Sequence, residues 1–271
     1  MNKSSARAHV GHRPAVAAAM AIARKAAGIY PPLFNSVWRM VYPRTRYNHA
    51  VASVPGNRRE TFDTIYRNNV WGSAESVSGL GSTLANTLPV RRALPGLLRS
   101  LGVRTMLDAP CGDFNWMRHV DLSGVHYIGG DIVPELLRAT QAVHGGADRA
   151  FRPLDILQDP LPPADLWLCR DVLIHFSNED ALALLHRAAR APIRYLLTTH
   201  YELCPRNMEI NTGGYRPINL CIAPFNLPRP LRRIDDFLAP WQPRSLGLWS
   251  REQLRLALGI LDDEAEAAPA G

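Results

Sequence analysis

The 271-residue chain is short of several things that would each have named a function class. Its four cysteines, Cys111, Cys169, Cys204 and Cys221, are widely spaced and form no Cys-x-x-Cys pair, so neither a zinc ribbon nor a disulfide framework is indicated. Cys111 and Cys169 fall at strand ends and are expected reduced and buried, as in a cytoplasmic protein. The apolar run at 15–23 has nine residues, far below the roughly 20 of a membrane span. It is rich in Ala rather than Leu and lacks a cleavage site, which argues against a signal peptide. No internal repeat is present. Acidic residues are missing from positions 1–59, which hold ten Lys or Arg. The remainder carries 21 basic against all 24 acidic residues. The net charge of +7 therefore belongs to a leader and not to the body of the chain, and it gives no reason to expect a nucleic-acid partner.

Within that leader, residues 30–47 mix Leu33, Phe34, Val37, Trp38, Met40 and Val41 with Arg39, Arg44 and Arg46. Leu33, Val37, Met40 and Val41 fit one face of a short helix. A basic amphipathic helix binds anionic membrane surfaces, which gives an expectation of peripheral contact with the inner face of a membrane. A helix packed on the domain, or an unfolded tail, fits the same residues. The expected division is a leader at 1–59, a domain at 60–262 and a tail at 263–271. Within the domain, 60–101 is a cap, 102–200 a cofactor-binding core and 201–249 a substrate-side insertion.

What is present is one regular pattern. The stretch VRTMLDAPCGDFNWM, residues 103–117, reads as a buried strand, a tight turn and the start of a helix capped by Asn115. Such a corner leaves backbone N–H groups at the C-terminal edge of a sheet, where open α/β sheets bind small ligands. Strands then recur at 126–130, 150–154, 165–169 and 194–199, alternating with helices at 134–143 and 179–190. This alternation predicts a parallel, doubly wound sheet. A last strand is expected at 246–249, and Ser250 caps a helix at 251–258.

Three of the strands run out in a carboxylate: Asp108, Asp131 and Asp155. One such Asp is a common helix cap, but three at one sheet edge suit a nucleoside pocket. An acid after the second strand takes both ribose hydroxyls. Before the first strand, WGSAESVSGLGST at 71–83 holds three Gly and four Ser and is a loop by composition. It also carries Trp71 and Glu75, which a plain linker does not need, so it is a candidate cover for the ligand, with Trp71 and Gly81 near the cofactor.

These segments together resemble the class I S-adenosylmethionine-dependent methyltransferases. LDAPCGDF resembles the first motif, with Asp108, Pro110, Cys111 and Gly112 at the cofactor turn. YIGGDIV resembles the second, with Asp131 as the ribose acid and Ile132 beside it. RPLDIL, with Asp155 and Ile156, resembles the adenine-binding third. DLWLCRDVLIHFS resembles the fourth-strand motif and puts Arg170 at the cofactor. The resemblance implies a Rossmann-like fold of seven strands, mostly parallel with an antiparallel last hairpin, preceded by an N-terminal helical extension. S-adenosyl-L-methionine is the implied cofactor.

Two departures bear on the rival reading. Pro110 and Phe114 stand where the family offers glycines, and only Gly112 remains. Pro110 lacks an N–H, so the turn is expected to use the N–H groups of Cys111 and Gly112. A nicotinamide-dependent oxidoreductase needs several glycines to bring backbone close to a diphosphate. The methionine half of S-adenosylmethionine has no diphosphate and tolerates a bulkier turn. A non-catalytic cofactor-binding protein docking a partner or membrane is the other alternative.

The acceptor is the least determined part. Transfer to a hydroxyl needs a base, and histidine is suited to it near neutral pH. His175 and His200 both follow strands at the cofactor edge, and Asp171 is a third candidate. The insertion is dense in Pro, Gly, Asn and aromatics. Within it, Tyr215, Arg216 and Asn219 are expected to face a polar, sugar-like acceptor, either a small molecule or a glycan. No metal cluster stands in the pattern.

Overall fold

The computed structural model describes residues 57–71, 73–237 and 243–260. The expectations for the leader before 57 and for the acidic tail lie outside the described residues.

The described chain opens on α1 (Arg58–Arg67). Asn57 and Glu60 close a capping box at its start, each side chain bonding the other residue's backbone N–H. The predicted loop follows, and then α2 (Leu88–Leu101). Pro89 sits in the first turn of α2, where its missing N–H leaves no donor unsatisfied. Pro95 lies inside the helix. The left-handed Gly102 ends it.

The sheet contains β1 (Thr105–Asp108), β2 (His126–Asp131), β3 (Arg149–Pro153), β4 (Ala164–Cys169), β5 (Ile193–His200), β6 (Arg232–Asp235) and β7 (Ser245–Ser250). Its order is β3-β2-β1-β4-β5-β7-β6. β1 to β5 pair in parallel, and β7 is antiparallel to both β5 and β6. This is the expected topology, with the order reversing between β1 and β4, where ligands of open α/β sheets bind. The central strands are buried on both faces. Their near-continuous apolar runs, such as LWLC in β4, follow from that burial.

The crossovers use α3 (Pro134–His144) and α4 (Asn178–Arg190), and α5 (Arg251–Ala257) closes the described chain. Ser177 caps α4, its side chain accepting the Asp180 N–H. Ser250 caps α5 as predicted, in a capping box with Gln253. The helix expected to start at Asn115 is only a single 3-10 turn, Met117–His119. Asn115 does not cap it. Its amide donates instead to Glu75 and to the Ser82 carbonyl (3.0 and 3.1 Å), because the covering loop comes down on this corner.

Two apolar layers sandwich the sheet. On one side Trp167, Leu184, Leu185, Leu196 and Trp249 pack with α4 and the insertion. On the other Met106, Tyr127, Leu94, Leu98 and Phe114 pack with α2. Phe114 adopts a left-handed backbone (φ 59°) that aims its ring into this layer, against Tyr127 and Phe151. Trp167 is fully buried, and its indole N–H donates to the Ala109 carbonyl at 2.8 Å, where β1 runs into the corner. Replacing Trp167 with Phe leaves that carbonyl without its donor. The expected loss is about 1–3 kcal/mol of unfolding free energy, read as a lower urea midpoint with an unchanged slope.

Candidate functional site

A cavity of about 410 Å³ opens at the C-terminal edge of the parallel strands. That volume lies in the range of sites for drug-sized ligands. Its floor is the β1 corner. Gly112 there is left-handed (φ 58°), and a Cβ on it would stand 2.0 Å from the Ser78 hydroxyl, so only glycine lets the loop come this close.

The corner does not present its N–H groups to a ligand as the sequence led us to expect. The Cys111 N–H donates to the Gly130 carbonyl (2.8 Å), and the Gly112 N–H donates to the Asp131 carboxylate (3.0 Å). Both are spent in tying the turn to β2. The covering loop is tied down equally firmly. The Asp113 carboxylate accepts from the Ser76 hydroxyl and the Val77 N–H, each at 3.0 Å. Glu75 accepts from Leu84 N–H and Asn115. Glu75 thus anchors the loop over the corner.

The strand-end carboxylates differ in electrostatic state. Asp108 is buried and accepts the Tyr127 hydroxyl hydrogen at 2.6 Å. Burial still pushes it up to about 7. Asp131 accepts the N–H groups of Val133 and Gly112, and burial raises it to about 6. Among the described residues neither forms an ion pair. Asp155 does: Arg58, the first residue of α1, donates to both its oxygens at 3.2 and 3.0 Å. The Leu157 N–H takes a further position on Oδ1, so little of this carboxylate remains for an adenine amino group.

A buried four-member network stands beyond β4. Arg244 grips Asp171 with two nitrogens (2.8 and 3.0 Å) and reaches Asp236 at 3.2 Å. Arg170 donates to Asp236, pairs with Asp171 at 3.2 Å and bonds the Gly81 carbonyl of the loop. Arg170 thus lines the cavity as expected, but its N–H groups are engaged within the protein. Asp171 is unsuited to be the base. Burial pushes it up, yet the cations of Arg170 and Arg244 outweigh this and hold it at about 2. Asp236 and Arg244 escaped the sequence reading. They come from the β6–β7 hairpin, 66 and 73 residues from their partners, and no local pattern marks them.

His200 is also displaced from the expected role. It lies outside the cavity wall, packs against Trp249 and accepts the Leu220 N–H on Nδ1. Burial pushes it down to about 4. β5 ends with this side chain turned under the insertion, which covers it. His175, by contrast, lines the cavity. Its Nδ1 lies 2.6 Å from the Gly214 carbonyl, which only accepts, so Nδ1 carries the hydrogen and a neutral ring keeps its lone pair on Nε2. Burial lowers its pKa, which favours that neutral ring.

Of the three insertion residues, only Tyr215 reaches the cavity. Arg216 is buried against Phe225 and donates to the Phe176 carbonyl. The Asn219 amide bonds the carbonyls of Glu202 and Cys204 and accepts the Cys221 N–H, so it braces the insertion itself. The expected polar ring for a sugar is therefore absent from the described wall. Pro110, Cys111, Gly112, Ile132, Ile156, Trp71 and Gly81 do line the cavity, with Asp108, Asp131 and Asp155. Trp71 stands beside His175, their rings stacked at 5.3 Å.

The two unpaired carboxylates make a test in the ligand-free protein. Their raised pKa values mean that the folded chain holds protons the unfolded chain has released, so stability falls as pH rises from about 4 to about 7. Asp108→Asn removes the Asp108 share of that loss. It is expected to raise the melting temperature at pH 8 by several degrees and to leave it little changed at pH 4, as read by circular dichroism.

No family model matches the sequence, and no curated protein matches it. Solved structures do match its fold. Magnesium protoporphyrin IX methyltransferase from Synechocystis PCC 6803, solved with S-adenosylmethionine, is 14% identical with a TM-score of 0.50 and covers 73% of this chain and 99% of its own. The 1,6-didemethyltoxoflavin-N1-methyltransferase of Burkholderia thailandensis is 17% identical with a TM-score of 0.51, covering 76% and 90%. The N-methyltransferase NodS of Bradyrhizobium japonicum WM9, solved with S-adenosylhomocysteine, is 14% identical with a TM-score of 0.51, covering 68% and 97%. With its sheet order and antiparallel last hairpin, the chain has the Rossmann-like fold of the S-adenosylmethionine-dependent methyltransferases.

Proposed function

We propose that the chain is an S-adenosylmethionine-dependent methyltransferase acting on the hydroxyl of a small molecule. One observation carries the cofactor assignment: the cavity holds two buried carboxylates, Asp108 and Asp131, with no cation paired to them among the described residues. Its other acids, Asp155, Asp171 and Asp236, are each matched to an arginine. The unmatched charge favours a cationic ligand. It disfavours a dinucleotide, whose diphosphate would meet two carboxylates and a turn with its N–H groups already spent. The similar structures solved with S-adenosylmethionine or S-adenosylhomocysteine agree with this reading.

The residues fit the group. Asp131 keeps lone pairs beyond the two it uses, enough for two ribose hydroxyls. Ile132, Leu136, Leu154 and Ile156 supply an apolar wall for a nucleobase. Asp108 faces the methionine side, where an ammonium would draw its proton off. When bound, S-adenosylmethionine supplies an electrophilic methyl carbon on a sulfonium sulfur, which keeps the bonding pair. The protein contributes alignment and proton removal. His175 Nε2 takes the proton that the acceptor oxygen gives up as it bonds to carbon. The Gly214 carbonyl holds the ring in the tautomer that can do this and stabilises the imidazolium formed. The covering loop, pinned by Asp113 and Glu75, keeps water from the site.

In this reading the expected cap supplies the loop and most of α1, which begins at Arg58 inside the expected leader, the core supplies the carboxylates, and the insertion supplies Tyr215. Among the described residues no helix is long and apolar enough to cross a membrane.

Calorimetry with S-adenosylhomocysteine tests the cofactor assignment. The affinity should weaken at least tenfold in Asp131→Ala. In the unaltered chain it should weaken as pH falls through 7 and 6, because protonation of Asp108 and Asp131 removes the charge that holds the ligand. Failure to bind at pH 8 would exclude the assignment. His175→Gln should leave that affinity within about twofold and lower kcat by about 100-fold. The acid limb of kcat in the unaltered chain should lie below 6.5, since the buried histidine holds its proton less tightly than a free one.

A further inference from the structure

We infer that the acceptor is a flat, uncharged aromatic hydroxyl compound, seated against the wall formed by Trp71, His175 and Tyr215; this rests on the methyltransferase reading above. The wall is continuous. Phe62 meets Trp71 at 6.5 Å between ring centroids, Trp71 stacks on His175 at 5.3 Å, and His175 meets Tyr215 at 5.9 Å. All four line the cavity. The wall comes from four separate segments: α1, the covering loop, the turn after β4, and the insertion. Aromatic faces brought together in this way favour a planar partner by stacking, about 0.5–1.5 kcal/mol per pair beyond the area buried.

The charges at this end of the cavity exclude other acceptor classes. Arg170 and Arg244 are consumed by Asp171 and Asp236, so among the described residues neither is left over for a carboxylate or phosphate on the acceptor. The same pairing leaves neither Asp171 nor Asp236 for an amine. A sugar would need several hydrogen-bonding side chains around it, and two of the three expected from the insertion, Arg216 and Asn219, are turned into the protein. The hydroxyls of Tyr201 and Tyr215 lie 3.3 Å apart on this wall, with the Tyr201 hydroxyl also accepting from Arg244, a polar point that orients a single substituent. The base points the same way. A histidine weakened by burial is a poor match for an alkyl alcohol. It is better matched to a phenol, whose proton is lost near pH 10 like that of tyrosine.

The test uses the full chain, a labelled methyl donor and two sets of acceptors: naphthol, hydroxycoumarin and hydroxybenzyl alcohol on one side, methyl glucoside and hexanol on the other. Calorimetry with S-adenosylhomocysteine is run first, and absence of binding removes the methyltransferase reading together with this one. With binding present, the aromatic hydroxyls should be methylated with kcat/KM at least 100-fold above the others, and naphthol should bind the S-adenosylhomocysteine complex directly. Trp71→Ala and, independently, Tyr215→Ala should raise KM for naphthol at least tenfold while the S-adenosylhomocysteine affinity stays within about twofold. Preferred transfer to the glucoside or hexanol overturns the inference and leaves the methyltransferase reading standing, as does failure of every aromatic acceptor. Loss of S-adenosylhomocysteine affinity in both variants, equal to their rise in KM, would assign the wall to the cofactor and overturn it as well.

Discussion

The carboxylate of Asp131 is the point on which the site depends. It ends β2, accepts the N–H of Gly112 across the strand gap and accepts the N–H of Val133 at the start of α3. These two bonds fix the β1 corner, the edge of the sheet and the helix entry relative to one another. They also keep a negative charge where water cannot solvate it, and an unpaired buried carboxylate is costly. Among the described residues no cation meets that cost. Asp108 repeats the arrangement one strand away, with only a tyrosine hydroxyl for a partner among the described residues. The sheet edge is therefore built with an electrostatic deficit that a cationic ligand relieves.

The rest of the cavity is arranged so that this deficit stays local. Arg58 neutralises Asp155 from α1, and the Arg170, Asp171, Asp236 and Arg244 network is balanced within itself. Removing any member of that network would strand a buried charge, so it is rigid by necessity. Arg170 extends the rigidity to the covering loop through the Gly81 carbonyl, and Asp113 fastens the other part of the same loop to the corner. The two ends of the cavity and the loop are thus mechanically connected, while their charges are separately accounted for.

This division explains why the corner works without its usual glycines. Pro110 and Phe114 would obstruct a turn whose N–H groups had to reach a ligand. Here those groups bond back to Gly130 and Asp131, and the Phe114 ring fills the core instead. In the proposed reading, recognition moves from the backbone of the turn to the carboxylates around it.

The sequence by itself determined the sheet, the corner and the row of acids Asp108, Asp131 and Asp155. These are set by local rules: apolar runs make the strands, alternation with helices makes them parallel, and a residue at a strand end stays at the sheet edge. His175 and His200 were indistinguishable on such rules, since both follow strands. Tertiary structure separated them by laying the insertion over one and leaving the other in the cavity wall. The same insertion has no periodicity, so nothing local told Tyr215, which faces the cavity, from Arg216 and Asn219, which do not. Arg58, Asp236 and Arg244 join the site only because the fold brings distant segments onto one edge. Ion pairs of that kind depend on distance in space, and sequence separations of 66 to 97 residues carry no trace of it.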